Sequence, residues 1–145
     1  MIPATSTIQR KPYNRSMVRI GVEALKVGDY IRTVNLDNGD YNFSKVISIA
    51  KVTLAKYEVK TTCFDTIICS SVCKFMCLDG LPHPWTVNHS FNHSTRLLKR
   101  DASKLLTPFI KTVKKIGTPH TFYSIVIEDK DQAVLVDGYA KVIHE

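Results

Sequence analysis

Residues 120–145 read HTFYSIVIEDKDQAVLVDGYAKVIHE. Thr121 to Glu128, Ala133 to Val136 and Tyr139 to Ile143 are rich in β-branched and aromatic side chains, which fit a pleated, half-buried surface. Asp129-Lys130-Asp131 and Asp137-Gly138 punctuate them with turn chemistry. The stretch predicts three short strands joined by tight turns, with no helical period.

The same grammar extends upstream. Tyr30 to Asn35 reads as a strand, and Asp37-Asn38-Gly39-Asp40 as a turn. Phe43 to Leu54 and Lys56 to Thr62 read as two successive strands. Thr66 to Met76 is one β-prone run ending at Leu78-Asp79-Gly80, and Phe109 to Ile116 alternates as a strand. Val22 to Lys26 reads as a short helical turn stopped by Gly28. Ala102 to Leu106 reads as another, with Asp101 or Ser103 as its N-cap. Leu81 to Thr95 is rich in Pro, His and Asn and reads as a loop. The sum is an all-β chain of about ten short strands.

The chain has 145 residues, 44% hydrophobic and 23% charged, which fits one domain spanning residues 1–145. No apolar run reaches the ~20 residues that span a bilayer, and the N-terminus lacks a signal-peptide pattern. The expected setting is soluble: intracellular and reducing, or a virion, neither secreted nor transmembrane. The Asn-x-Ser sequons at Asn14, Asn42, Asn88 and Asn92 carry no weight there. Twenty Lys and Arg against thirteen Asp and Glu leave a net charge of +7. Nucleic acid or an acidic protein face is therefore a candidate partner. The basic residues are scattered beyond two clusters, Arg96/Lys99/Arg100 and Lys111/Lys114/Lys115, and no nucleic-acid-binding motif accompanies them.

Cys63, Cys69, Cys73 and Cys77 lie within fifteen residues. On a continuous strand, Cys69, Cys73 and Cys77 share one face, and the favoured reading is small buried hydrophobes. A reactive Cys73 is the alternative. The spacing is poor for zinc, because one extended strand cannot wrap several sulfurs around an ion. Cys69, Cys73 and Cys77 with His89 and His93 are weak metal candidates, and no cofactor is expected. His83 and Trp85 form either a recognition loop or a loop tucked onto the barrel. His120 is assigned no role. The tyrosines read as packing rather than a base-stacking platform.

Four segments, in order, resemble the Hedgehog/intein (Hint) family. MIPATSTI (1–8) is similar to an intein start. VEALKVGDYIRT (22–33) is similar to the short helix and Val-Gly-Asp strand of these domains. FDTIICSSVCKFMCLDG (64–80) stands where the family carries Thr-x-x-His. Residues 120–145 resemble its two C-terminal motifs. The resemblance implies a pseudo-symmetric β-fold whose ends, Met1 and Glu145, meet at a self-processing site. It also implies family-equivalent positions at Met1, Ser70, Cys73, Ser124, His144 and Glu145.

Splicing chemistry makes demands that these residues do not meet. The first acyl shift needs a thiol or hydroxyl at residue 1, and Met1 carries a thioether. Polarising the scissile amide needs a hydroxyl and an imidazole. Ser70 keeps the hydroxyl, but Cys73 is a weak donor. Ser124 replaces an Asp. Final cyclisation needs a terminal Asn beside His144, and Glu145 has no side-chain amide. The expectation is a degenerate Hint domain, not an enzyme, acting as an interaction module among the protein subunits of a phage virion or other large assembly. It has no small-molecule substrate and no membrane partner. An autoprocessing element (an inactive variant or spent product) and a small basic nucleic-acid-binding barrel are the alternatives.

Overall fold

The computed structural model describes residues 1–11, 17–77, 83–86, 95–101 and 104–142. Among these residues thirteen strands form one antiparallel system. They are β1 (Ile2–Pro3), β2 (Thr7–Arg10), β3 (Val18–Gly21), β4 (Tyr30–Asn35), β5 (Tyr41–Thr61), β6 (Thr66–Cys69), β7 (Lys74–Cys77), β8 (His83–Thr86), β9 (Lys99–Asp101), β10 (Lys104–Leu106), β11 (Ile110–Ile127), β12 (Gln132–Val136) and β13 (Tyr139–Val142). A 3₁₀ turn at Val22–Ala24 is the one helical element among the described residues. The main path runs β1-β11-β5-β4-β2-β12-β13-β7-β8.

The expected all-β class holds, and β4 and β12–β13 stand where the sequence places them. The turns follow local chemistry. Between β4 and β5, Asn35 Oδ1 accepts from Asp37 N at 2.7 Å and Asn38 Oδ1 from Asp40 N at 2.9 Å. These side chains mimic backbone turn bonds. Asp137 and Gly138 both have positive φ, +51° and +88°, as a two-residue type I′ hairpin requires. A Cβ on Gly138 would also sit 3.0 Å from the Arg100 carbonyl oxygen. Gly138→Ala should therefore cost ~1–3 kcal/mol in a urea melt. An unchanged midpoint would show that the turn relaxes freely.

Several expectations are corrected. The two strands expected at Phe43–Leu54 and Lys56–Thr62 are one strand, β5, of 21 residues. Phe109–Ile116 and Thr121–Glu128 likewise merge into β11, of 18 residues. Each supports the other: β11 pairs with β5 from Ile110↔Thr61 to Ile127↔Val46. A register irregularity between Lys115 and Pro119 absorbs the Gly117 and Pro119 that locally read as breakers. The Thr66–Met76 run, by contrast, is two strands. It turns over at Ser70–Val72, where Cys73 N donates to Ser70 O at 3.2 Å. Cys69, Cys73 and Cys77 are therefore not one strand face. Lys104–Leu106, expected as a helical turn, pairs with β9 as β10. Ala102 and Ser103 lie outside the described residues. His83–Thr86, expected within a loop, is strand β8 on β7.

Three buried clusters form the core among the described residues. One gathers Val59, Ile67, Cys69, Cys73, Phe75, Cys77, Leu97, Ile110 and Tyr139. A second lies under β1, β2, β4 and β12, around Ile2, Ile8, Ile31 and Val134. A third joins Val34, Met76, Leu98, Ala133, Leu135 and Ala140. The expectation of core thiols holds for Cys69, Cys73 and Cys77, which are buried. No described helix is long and apolar enough to cross a membrane.

Candidate functional site

The β6–β7 turn and β13 build one buried site. β6 ends at Cys69, the chain reverses through Ser70 and Ser71, and Cys73 leads into β7. β13 pairs with β7 through Lys141↔Phe75 and Val142↔Lys74, which brings Lys141 to the start of β7. β1 pairs with β11 through Ile2↔Tyr123 and delivers Met1 to the same place. Cys73 Sγ lies 3.8 Å from the Met1 carbonyl oxygen, a long thiol contact.

The polar groups here are short of partners. Ser70 Oγ and Lys141 Nζ are buried and make no hydrogen bond of good geometry among the described residues. Lys141 is only 2% exposed, and its Nζ sits 5.4 Å from the centre of the Phe75 ring, within cation–π range. A buried ammonium of this kind needs a negative neighbour.

Cys73 answers that need. A hydrogen bond from Cys69 holds the Cys73 thiol below its ordinary value. Burial opposes this lowering, while the positive charge of Lys141 and a hydrogen bond from it reinforce it. Cys69 moves the other way, first because it is the donor to Cys73 and then because it is buried. The site thus eases deprotonation of Cys73 relative to a free thiol, with Cys69 as its proton-bearing neighbour.

Of the residues singled out from the sequence, the structure brings Met1, Ser70 and Cys73 together. Ser124 is half-buried on β11, directly after the Tyr123–Ile2 pair. His144, Glu145, His89 and His93 lie outside the described residues. Cys77 is in the same core cluster as Cys69 and Cys73, and all four cysteines are unbridged. Among the described residues no group of three or more His, Cys, Asp or Glu could hold a metal ion. Lys141 is the site residue that sequence reasoning missed. Its signal was a lysine inside the apolar run Tyr139–Ile143, where a solvated cation has no reason to be.

What this site can do follows from its groups. It can hold a negative charge on sulfur. It offers no imidazole among its described members and no nucleophile on the side chain of Met1.

No protein-family model and no curated protein matches the sequence. Solved structures do match. A DnaB intein from Synechocystis sp. PCC 6803 superposes with a TM-score of 0.81 at 14% identity, covering 99% of this chain and 98% of that one. An intein from a hyperthermophile gives 0.80 at 10% identity, with 99% and 98% covered. The gp41-1 intein gives 0.71 at 14% identity, with 99% and 97% covered. With nearly the whole of each chain superposed, and antiparallel strands throughout, this protein has the Hint-type fold of the inteins.

Proposed function

We propose that this chain is an intein-like domain that no longer splices and serves instead as a rigid interaction module among the subunits of a larger assembly, such as a phage virion. The observation that carries this reading is the composition of the buried site around Met1. A thioether stands where the first acyl shift needs an O–H or S–H nucleophile, and Cys73 stands where the resemblance places an imidazole. The whole chain, residues 1–145, acts as one unit in this proposal. Its docking surface is the set of one-sided strands. Among the described residues β3 pairs only with β2, and β10 only with β9, and they present Val18 and Leu105 to solvent. Such edges pair with other chains.

The test has two parts. The chain, expressed with flanking sequence at both ends, should keep its intact mass through long incubation at acid and alkaline pH. Cross-linking in the native particle or extract should join it to other subunits. A released fragment, or a chain that stays monomeric and unlinked, would overturn the proposal.

One observation favours a second reading, residual self-processing: Cys73 Sγ is 3.8 Å from the Met1 carbonyl oxygen. Attack would bond sulfur to the Met1 carbonyl carbon and break the Met1–Ile2 amide, with a proton passing to the Ile2 nitrogen; water would then hydrolyse the Cys73 thioester, restoring the thiol and releasing Met1 and everything before it as a free acid. Its signature is loss of Met1 and everything before it, abolished by Cys73→Ala.

A further inference from the structure

Outside the thiol site, a cleft of about 160 Å³ opens between β2, β3, β4, β9 and the β12–β13 turn. Arg19, Arg32 and Arg100 line it, one from each of β3, β4 and β9. Tyr41 lies between the latter two in contact terms. The Arg32 guanidinium carbon is 4.0 Å from its ring centroid, and that of Arg100 is 4.8 Å. Two like charges are thus gathered at one aromatic ring, where repulsion between them is little screened.

Two carboxylates, Asp101 and Asp137, line the cleft against three arginines, which leaves an excess of positive charge. Asp137 Oδ1 accepts from Thr7 N at 3.0 Å and from Thr7 Oγ1 at 3.1 Å. Asp101 is exposed. The described ion pairs, Arg10–Asp29 and Lys99–Asp65, include none of the three arginines. Arg100 spends one terminal nitrogen on the neutral Gly39 carbonyl, at 2.6 Å. The Nε atoms of Arg32 and Arg100 are buried with no hydrogen-bond partner. Buried N–H donors without acceptors are costly, and a pair of them on two guanidiniums that share the Tyr41 ring is a preformed demand for an oxyanion.

We infer that this cleft binds a small phosphate-class dianion, held by the Arg32 and Arg100 forks with Arg19 at the mouth. Guanidinium forks match tetrahedral oxyanions bidentately, which chloride cannot exploit. The volume admits a phosphate group with several waters. It is well below the ~300–1,000 Å³ of pockets that enclose drug-sized ligands, so the anionic group itself is what the cleft recognises. This site is independent of the Met1–Cys73 site and of the splicing question.

The experiment is calorimetric titration of the full chain with inorganic phosphate, at neutral pH and constant ionic strength set with chloride. The expected result is saturable binding of one equivalent. Arg32→Gln and Arg100→Gln should each weaken it at least tenfold. Exposed Arg19→Gln, which leaves the interior untouched, should weaken it severalfold. Lys115→Gln, on β11 away from the cleft, should leave it unchanged. Absence of phosphate binding over chloride overturns the proposal, as does full affinity in Arg19→Gln and in whichever interior variants fold. A single-stranded oligonucleotide that binds through these arginines while phosphate does not would also overturn it, and would assign the cleft to nucleic acid.

Discussion

Tyr139→Ala should destabilise the fold by ~3–5 kcal/mol, the range for losing a large buried aromatic side chain. Tyr139 is 1% exposed and packs with Val59, Phe75, Leu97 and Ile110. Its hydroxyl donates to Asp65 at 2.8 Å and lies 3.1 Å from Thr61 Oγ1. Asp65 also pairs with Lys99 Nζ at 2.7 Å. The ring is therefore both core and anchor: it ties β13 to the β5–β6 turn. Tyr139→Phe keeps the ring and removes one donor to Asp65, so it should cost only ~1–1.5 kcal/mol. Urea melts with unchanged slope would measure both. If the two substitutions cost the same, the packing account is wrong.

Asp65 gives this network a pH signature. Burial alone would raise its carboxyl, but hydrogen bonds from Lys99, Thr61 and Tyr139 outweigh it and hold it below the ordinary value. A group lowered in the fold contributes stability that is complete above its ordinary value of 3.8 and is lost as pH falls through the lower folded value. Asp65→Asn should flatten that acid limb.

The second large effect is expected to be a gain. Lys141→Met should stabilise the protein by ~1–4 kcal/mol at mildly acidic pH, as replacement of buried charge by a well-packed apolar chain often does. Lys141 is buried, its Nζ makes no hydrogen bond of good geometry among the described residues, and the group that compensates it is the Cys73 thiol, whose charged form it favours by charge and by hydrogen bonding. The sign follows from Cys73. Its folded value is depressed, so its contribution to stability is present above the ordinary thiol value of 9.0 and is lost as pH falls through the folded one. At low pH the thiol is neutral and Lys141 stands uncompensated, so the advantage of methionine is greatest there and narrows as pH rises. The ultraviolet absorbance of the Cys73 thiolate should move to higher pH in Lys141→Met. A variant less stable than the wild type at mildly acidic pH would show that Lys141 has a partner the thiolate does not supply.

The sequence by itself determined the β class, the Asp137-Gly138 hairpin, the Asn35–Asp40 turn and β4, because each rests on residues adjacent in the chain. It also determined that the Met1 side chain cannot begin an acyl shift, since that is a property of one side chain. The tertiary structure decided what depends on distant partners. β5 stays extended from Tyr41 to Thr61 because β11 pairs along it, and no local signal carries that register. The Ser70–Val72 reversal contains neither Gly nor Pro, so its sequence hides the turn that separates Cys69 from Cys73. Lys104–Leu106 is extended because β9 pairs with it, where its propensity alone read as helical. Met1, Cys73 and Lys141 are neighbours only because β1, β7 and β13 converge, and the charge balance among them exists only in that buried space.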